Sequence, residues 1–396
     1  MVEDQNQPTP EELIRRAKAI VPTLRERAAS AERERKVPQA TIDDLHAKGL
    51  WRILRPRRYG GYVTDVGTMF QVIAELGRGC GSTSWVYANL ISHNWMLPYW
   101  PAEAVATVWD DTPDALIGSA IAFPSGRLER TDGGYLLSGR WPFASGVDAS
   151  DWMMMGAMFK EGASPPAALL ALVPIDEITV HHDTWYVAGL SGTGSKDVSC
   201  ENLFVPESMI YDLRLARTGF SPGTEDLEGD AYRLPLFAVF PLVVAMPMIG
   251  MARGAYEHFV DGLKNQTARY TGSRVAEYTT VQLKVAEAGV LIDTAYLLCR
   301  EVWSQAQALV AAGDRPDLET RARWRRDSSH AARCAVQAVD LIHTVSGATA
   351  DRLDNPLQRH FRDIHAAVHQ IQLVWDINAP EFGRVAVGLP PANPAL

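Results

Sequence analysis

Between Leu234 and Ala252 the chain reads LPLFAVFPLVVAMPMIGMA, without a single charge. Few surroundings accept such a segment: the hydrocarbon of a bilayer, or a protein interior that covers a helix on every side. Pro235, Pro241 and Pro247 interrupt it three times, and each proline removes a backbone donor that an unbroken span would need. No second span flanked by Lys or Arg accompanies it. The segment therefore predicts a helix buried all round inside a large bundle, in a protein without a membrane role. A chain of 396 residues, 47% hydrophobic and 21% charged, is long enough for such a bundle and for further domains beside it.

The rest of the chain sorts by periodicity. Residues 1–115 read as a helical domain. Thr9-Pro10-Glu11-Glu12 supplies a cap, a proline at the first helical position and a following carboxylate. Apolar stripes at a spacing near 3.6 follow through Leu13, Ile42, Met69 and Trp85. Residues 116–232 change character: short alternating runs rich in β-branched and aromatic residues, divided by Gly, Asp or Pro, predict an antiparallel sheet or barrel. The polar run 220–231 reads as an exposed connector. Residues 233–396 are helical again, in pieces at about 236–264, 279–311, 317–345 and 356–378, with short polar turns. That pattern predicts an up-and-down four-helix bundle, followed by an extended proline-rich tail from Arg384. The fold class is thus α+β, mostly α: N-terminal helical domain, central antiparallel β domain, C-terminal four-helix bundle.

A net charge of −9 and a pI near 5.6 exclude a nucleic-acid partner, which needs a basic surface. The one basic cluster, Arg52, Arg55, Arg57 and Arg58, is either a salt-bridged loop or a contact for an anionic ligand or a neighbouring subunit. Cys80, Cys200, Cys299 and Cys334 are scattered and form no metal pattern, so they read as reduced thiols of a cytoplasmic protein. The polar, acidic N-terminus does not read as a signal peptide. GLSGTGSKD lacks the spacing of a phosphate loop, and no dinucleotide fingerprint is present.

Five segments in order carry a resemblance: LWRILRPRRYGGY, GGYLLSGRWPFASGVDASDW, GLSGTGSKDVSCENLFVP, ARYTGSRVAEYTTVQLKVAE and NPLQRHFRDIH. Together they resemble the acyl-CoA dehydrogenase fold. Dehydrogenases of that family follow the Arg-Asp pair with an element whose glutamate removes the substrate's α-proton. Here Arg362-Asp363 leads into IHAAVHQIQLVWD, and the glutamate position falls near Ile371. An apolar residue cannot abstract a proton. The chain therefore more closely resembles the oxygenase components of two-component flavin-dependent monooxygenases, such as those acting on 4-hydroxyphenylacetate and steroid-derived phenols. An acyl-CoA dehydrogenase with a base taken from elsewhere is the first alternative, and a non-catalytic flavin-binding or scaffold member of the fold is the second.

The resemblance implies reduced flavin, FMNH2 or FADH2, supplied by a separate flavin reductase. Dioxygen is the co-substrate, and a phenolic or heteroaromatic ring is hydroxylated through a flavin C4a-hydroperoxide in a homotetramer built as a dimer of dimers. It also implies roles for residues. Trp141 and Phe143 flank the flavin ring, and Ser145 sits near its N5; a turn serine is the plainer reading of Ser145. Thr193 and Ser195 contact the flavin, and Arg269 reaches a neighbouring subunit's cofactor phosphate or is an ordinary helix-end arginine. His93, four residues beyond Asn89 and eight beyond Trp85 on one helical face, reaches the substrate or is a satisfied core histidine. Either His365 or His369 of the last helix faces the same pocket. His181-His182 point to opposite faces of a strand and read as structural.

Overall fold

The computed structural model describes residues 7–162, 165–218, 224, 227–268 and 271–393. Arg269 lies outside these residues, as do 220–223 and 225–226 of the expected connector. Helix α1, Pro10–Glu34, starts where Thr9 accepts the Glu12 N–H at 3.2 Å, and it stops at Arg35, whose φ of 52° is left-handed. Then come α2 (Gln39–Ala47), α3 (Val66–Gly77), α4 (Gly81–Met96) and α5 (Ala102–Trp109). Almost every residue of α4 is buried, so this helix runs through the interior of the molecule.

The sheet contains β1 (Ile117–Ala120), β2 (Gly126–Thr131), β3 (Gly134–Ala144), β4 (Trp152–Phe159), β5 (Ala167–Pro174), β6 (Thr179–His181), β7 (Lys196–Pro206) and β8 (Ile210–Asp212). Its order is β6-β7-β3-β2-β4-β5-β8, with β1 beside β4. Most pairs are antiparallel, as the alternation predicts. Strand β4, however, runs parallel to both β1 and β2. A parallel pair needs a crossover, and the β2–β3 hairpin with the turn after it supplies one. Periodicity within a strand says nothing of such connections.

Helices α6 (Leu213–Thr218), α7 (Leu236–Val239) and α8 (Pro241–Leu263) follow, then α9 (Thr279–Ala311), α10 (Leu318–Val345), α11 (Pro356–Ala367) and α12 (Trp375–Ala386). The charge-free segment forms α7 and the first half of α8, and every residue from Pro241 to Ala252 is buried. Gly250 makes this possible. A Cβ there would lie 2.3 Å from the Ala74 carbonyl and 2.7 Å from Gly77 Cα, so α3 and α8 cross backbone to backbone. The last expected helix, 356–378, is in fact two. Helix α11 ends at Ala367, and Asn378 of α12 folds back to donate to the carbonyls of Ile371 (3.0 Å) and Val374 (2.8 Å). The helix α12 continues to Ala386, three residues into the expected tail.

The arginine cluster is a salt-bridged loop. Arg52 and Arg55 share Asp114, Arg57 meets Glu228, and Arg58 lies over the Tyr59 ring.

Candidate active site

The site grows from an irregularity in β3. Trp141 pairs with Val198 and Ala144 with Lys196, so the β3 strand carries an extra residue between them. Such a bulge re-aims the side chains it contains. Phe143 takes a left-handed φ of 65°, unusual for a bulky residue and characteristic of sites where the surroundings hold strain. Its ring is turned out, 68% exposed, with the Trp185 ring edge-on at 6.2 Å. Trp141 does the opposite of what was expected of it. It is fully buried, and its indole N–H donates to the Gly156 carbonyl at 2.6 Å. It supports the strand from beneath, and the aromatic face open to a ligand is that of Phe143.

Ser145 follows the bulge, and behind it stand the residues of the GLSGTGS loop. Ser145 Oγ lies 2.7 Å from Ser195 Oγ, which lies 2.7 Å from Thr193 Oγ1, which donates to the Leu190 carbonyl at 2.8 Å. Thr193 and Ser195 are buried. Both were expected to touch the flavin; the structure places Ser195 one hydroxyl and Thr193 two hydroxyls behind Ser145, because the loop folds under the strand end. The two segments are also tied through backbone, Gly146 N–H donating to the Thr193 carbonyl at 2.9 Å. Leu190, at a left-handed φ of 57°, is pinned by its N–H, which donates to Asp363 of α11 at 2.6 Å. Burial pushes that carboxyl up to about 6, against the lowering effect of the Leu190 hydrogen bond. Leu190, Asp363 and Trp185 were not singled out from sequence. Asp363 stood in the quoted Arg-Asp pair, but nothing local tells that its partner lies 173 residues away.

Helix α4 lies along the same turn. A Cβ on Gly146 would lie 2.9 Å from Val86 and 3.4 Å from Leu90, and one turn beyond Leu90 on α4 is His93. His93 is buried and its Nδ1 is 2.9 Å from the Ile117 carbonyl of β1. A carbonyl only accepts, so Nδ1 carries the proton and Nε2 holds a bare lone pair. That Nε2 is buried and has no hydrogen-bond partner among the described residues. Burial holds the imidazole down at about 4, with the Ile117 hydrogen bond opposing, so the ring is neutral at ordinary pH.

The two C-terminal histidines separate. His365, on α11, places Nε2 2.8 Å from Asp340 of α10 and packs its ring on Phe361. His369 lies past the helix end, in the turn, exposed. It is therefore not on the last helix as expected. The end of α11 that precedes it is docked on the hydroxyl loop, with Asp363 on Leu190 and Ala366 beside Gly189. His181 Nε2 lies 2.8 Å from Ser199, within the sheet.

An exposed aromatic face, a hydroxyl two residues further along the same strand end and a buried acceptor without a partner among the described residues fit a planar heteroaromatic cofactor and a hydroxylated substrate. Comparison with known proteins agrees. The Acyl-CoA dehydrogenase N-terminal domain model matches residues 9–104 and the Acyl-CoA dehydrogenase C-terminal domain model matches residues 242–373. The chain belongs to the flavin-dependent monooxygenase oxygenase components of the acyl-CoA dehydrogenase fold, and is an oxidoreductase that uses reduced flavin. It is 33% identical to the flavin-dependent monooxygenase oxygenase subunit HsaA of Rhodococcus jostii (strain RHA1), over 95% of this chain and 97% of that one. It is 34% identical to the oxygenase component of the FADH2-dependent resorcinol hydroxylase of Rhizobium sp. (strain MTP-10005), over 96% and 95%. The crystal structure of 3-HSA hydroxylase from Rhodococcus sp. RHA1 superposes with a TM-score of 0.93 at 31% identity, over 97% of this chain and 99% of that one.

Proposed function

We propose that this oxygenase hydroxylates a phenol, with His93 and His369 handling the substrate and Ser145 the flavin. One observation carries the reading: the buried Nε2 of His93 is a neutral acceptor with no partner among the described residues. An unmet buried acceptor is costly, and a phenolic O–H supplies the donor it lacks. A relative named for resorcinol, itself a phenol, supports the same substrate class.

Reduced flavin, when bound, supplies the electrons that activate dioxygen and carries one oxygen atom to the ring. The protein's own residues do the rest. Phe143 and Trp185 offer an aromatic face to the flavin, and Ser145 offers its oxygen. His93 accepts the phenol proton's hydrogen bond and fixes the ring for attack, drawing electron density toward the carbon to be oxygenated. Its tautomer is held by Ile117, so the accepting nitrogen is always Nε2. Of the two C-terminal histidines we assign His369 to the substrate, since the nitrogen of His365 is engaged by Asp340. We further propose that the enzyme is a dimer of dimers, with Arg269 near a neighbour's flavin. An outward stripe on α9 supports this: Leu283, Val290 and Leu297 are 55%, 65% and 48% exposed.

The test is coupling, the ratio of hydroxylated product to hydrogen peroxide released, measured with resorcinol as probe and reduced FAD supplied by a reductase. His93→Gln and His369→Ala are expected to consume oxygen at a near-normal rate while product falls by roughly 10²- to 10⁴-fold, the usual yield of general acid–base help. His365→Ala should remain coupled. Normal coupling in both His93→Gln and His369→Ala would remove these residues from the reaction.

A further inference from the structure

We infer that Thr193 and Ser195 are positioning residues that fix the Ser145 proton, so that Ser145 only accepts from its ligand and the site thereby favours reduced over oxidised flavin. The inference rests on the flavin reading of Ser145 given above and concerns what stands behind that residue.

The direction of the hydroxyl chain follows from its far end. The Leu190 carbonyl has no proton to give, so at 2.8 Å the Thr193 hydroxyl must be the donor. Each hydroxyl owns one proton. With the Thr193 proton committed, the 2.7 Å contact between Thr193 and Ser195 is a bond only if Ser195 donates. With the Ser195 proton committed in turn, the 2.7 Å contact to Ser145 requires Ser145 to donate. Three protons point one way, and the Ser145 oxygen is left with lone pairs alone.

Reversing that polarity is opposed by burial. Thr193 and Ser195 are 1% and 4% exposed, and water cannot replace a bond lost between them. Turning the Ser145 proton outward would leave two oxygens at 2.7 Å with no proton between them. The terminal acceptor is rigid as well. Leu190 is held through Asp363, and its carbonyl also accepts the Thr193 backbone N–H at 3.0 Å.

Flavin changes its hydrogen-bonding character at N5 with redox state. Reduced flavin carries an N–H there, and oxidised flavin carries a bare lone pair. An oxygen restricted to accepting meets the first with a hydrogen bond and the second with repulsion. A free serine would accommodate both by rotating, so the discrimination belongs to the chain behind Ser145 and not to Ser145 alone. Such a site takes flavin from a reductase in the productive state and lets spent flavin go.

The experiment is a pair of titrations of the full-length protein, one with oxidised FAD and one with dithionite-reduced FAD under argon, followed by absorbance and tryptophan fluorescence. The quantity read is the ratio of the two dissociation constants. In Ser195→Ala and Thr193→Val the ratio should move toward unity by roughly 5- to 50-fold, the worth of one hydrogen bond made or opposed. Most of the change should be tighter binding of oxidised FAD. Thr193→Ser keeps the donor and should keep the wild-type ratio, and it carries the test with Thr193→Val should Ser195→Ala not fold. An unchanged ratio in folded Thr193→Val, or equal behaviour of Thr193→Val and Thr193→Ser, would overturn the inference. Wild-type protein that binds neither form would instead overturn the flavin reading on which it rests. A loss of both affinities in parallel would mark a merely structural role and overturn the inference too.

Discussion

At the scale of single residues, the state of His93 has a measurable cost in acid. Its folded value of about 4 lies below the ordinary 6.5, so between these limits the unfolded chain binds the proton and the folded chain does not. The stability it contributes is complete above pH 6.5 and is lost as pH falls toward 4. Between pH 7 and pH 5 the loss is about 2 kcal/mol. His360, held down to about 3 by burial, acts in the same direction, whereas Asp363, raised to about 6, gains relative stability as pH falls through that value. Urea unfolding at pH 7 and pH 5 should therefore show a smaller drop for His93→Gln than for the wild type, by about 2 kcal/mol. Parallel drops would show that His93 titrates normally in the folded protein. Phe143 is the converse case, a residue whose backbone strain is sustained by the fold around it. Its φ of 65° holds a bulky ring in the open, which aligns with a ligand face and has no purpose in the core.

At the scale of elements, the crossing of α3 and α8 welds the N-terminal helices to the bundle. Gly250→Ala puts a methyl where the Ala74 carbonyl and Gly77 already are, and neither is a side chain that can swing aside. We expect a loss of about 1–3 kcal/mol, read as a lower urea midpoint with an unchanged slope; a wild-type midpoint would show that the helices part readily. Helix α8 itself was legible in the sequence, because an uncharged run with three prolines has few places to go. The break between α11 and α12 was not. Val368 to Val374 contains neither glycine nor proline, and the turn between the helices is held by the Asn378 side chain reaching back to the Ile371 and Val374 carbonyls. The site divides the same way. Ser145 and His93 were legible as residue types in quoted motifs. The hydroxyl chain was not, because Ser145 and Ser195 are 50 residues apart and meet only through a bulge that shifts the β3–β7 register. Trp141 was misread for the same reason: the bulge puts Phe143 outward and leaves Trp141 beneath.

At the scale of the whole molecule, the outward stripe of α9 bears on assembly. Leu283, Val290 and Leu297 recur every seven residues on one face, the repeat that lets a straight helix lie along another. Val290→Lys with Leu297→Lys should convert the proposed tetramer to smaller species by light scattering at micromolar concentration. A wild-type monomer would remove the dimer of dimers, and a variant of unchanged mass would move the interface elsewhere. The interior position of α8 has a different consequence, one that belongs to the making of the protein. The ribosome delivers α8 well before α10, which covers it; the gap from Leu263 to Val345 is roughly 80 residues, or about 4–16 s at ordinary elongation rates. Through that interval a greasy stretch of near membrane-span length stands on the nascent chain with the N-terminal helices, and later α9, as its partial shelter. Each newborn copy thus offers chaperones and the membrane-targeting machinery a segment whose run from Pro241 to Ala252 the finished enzyme buries residue by residue.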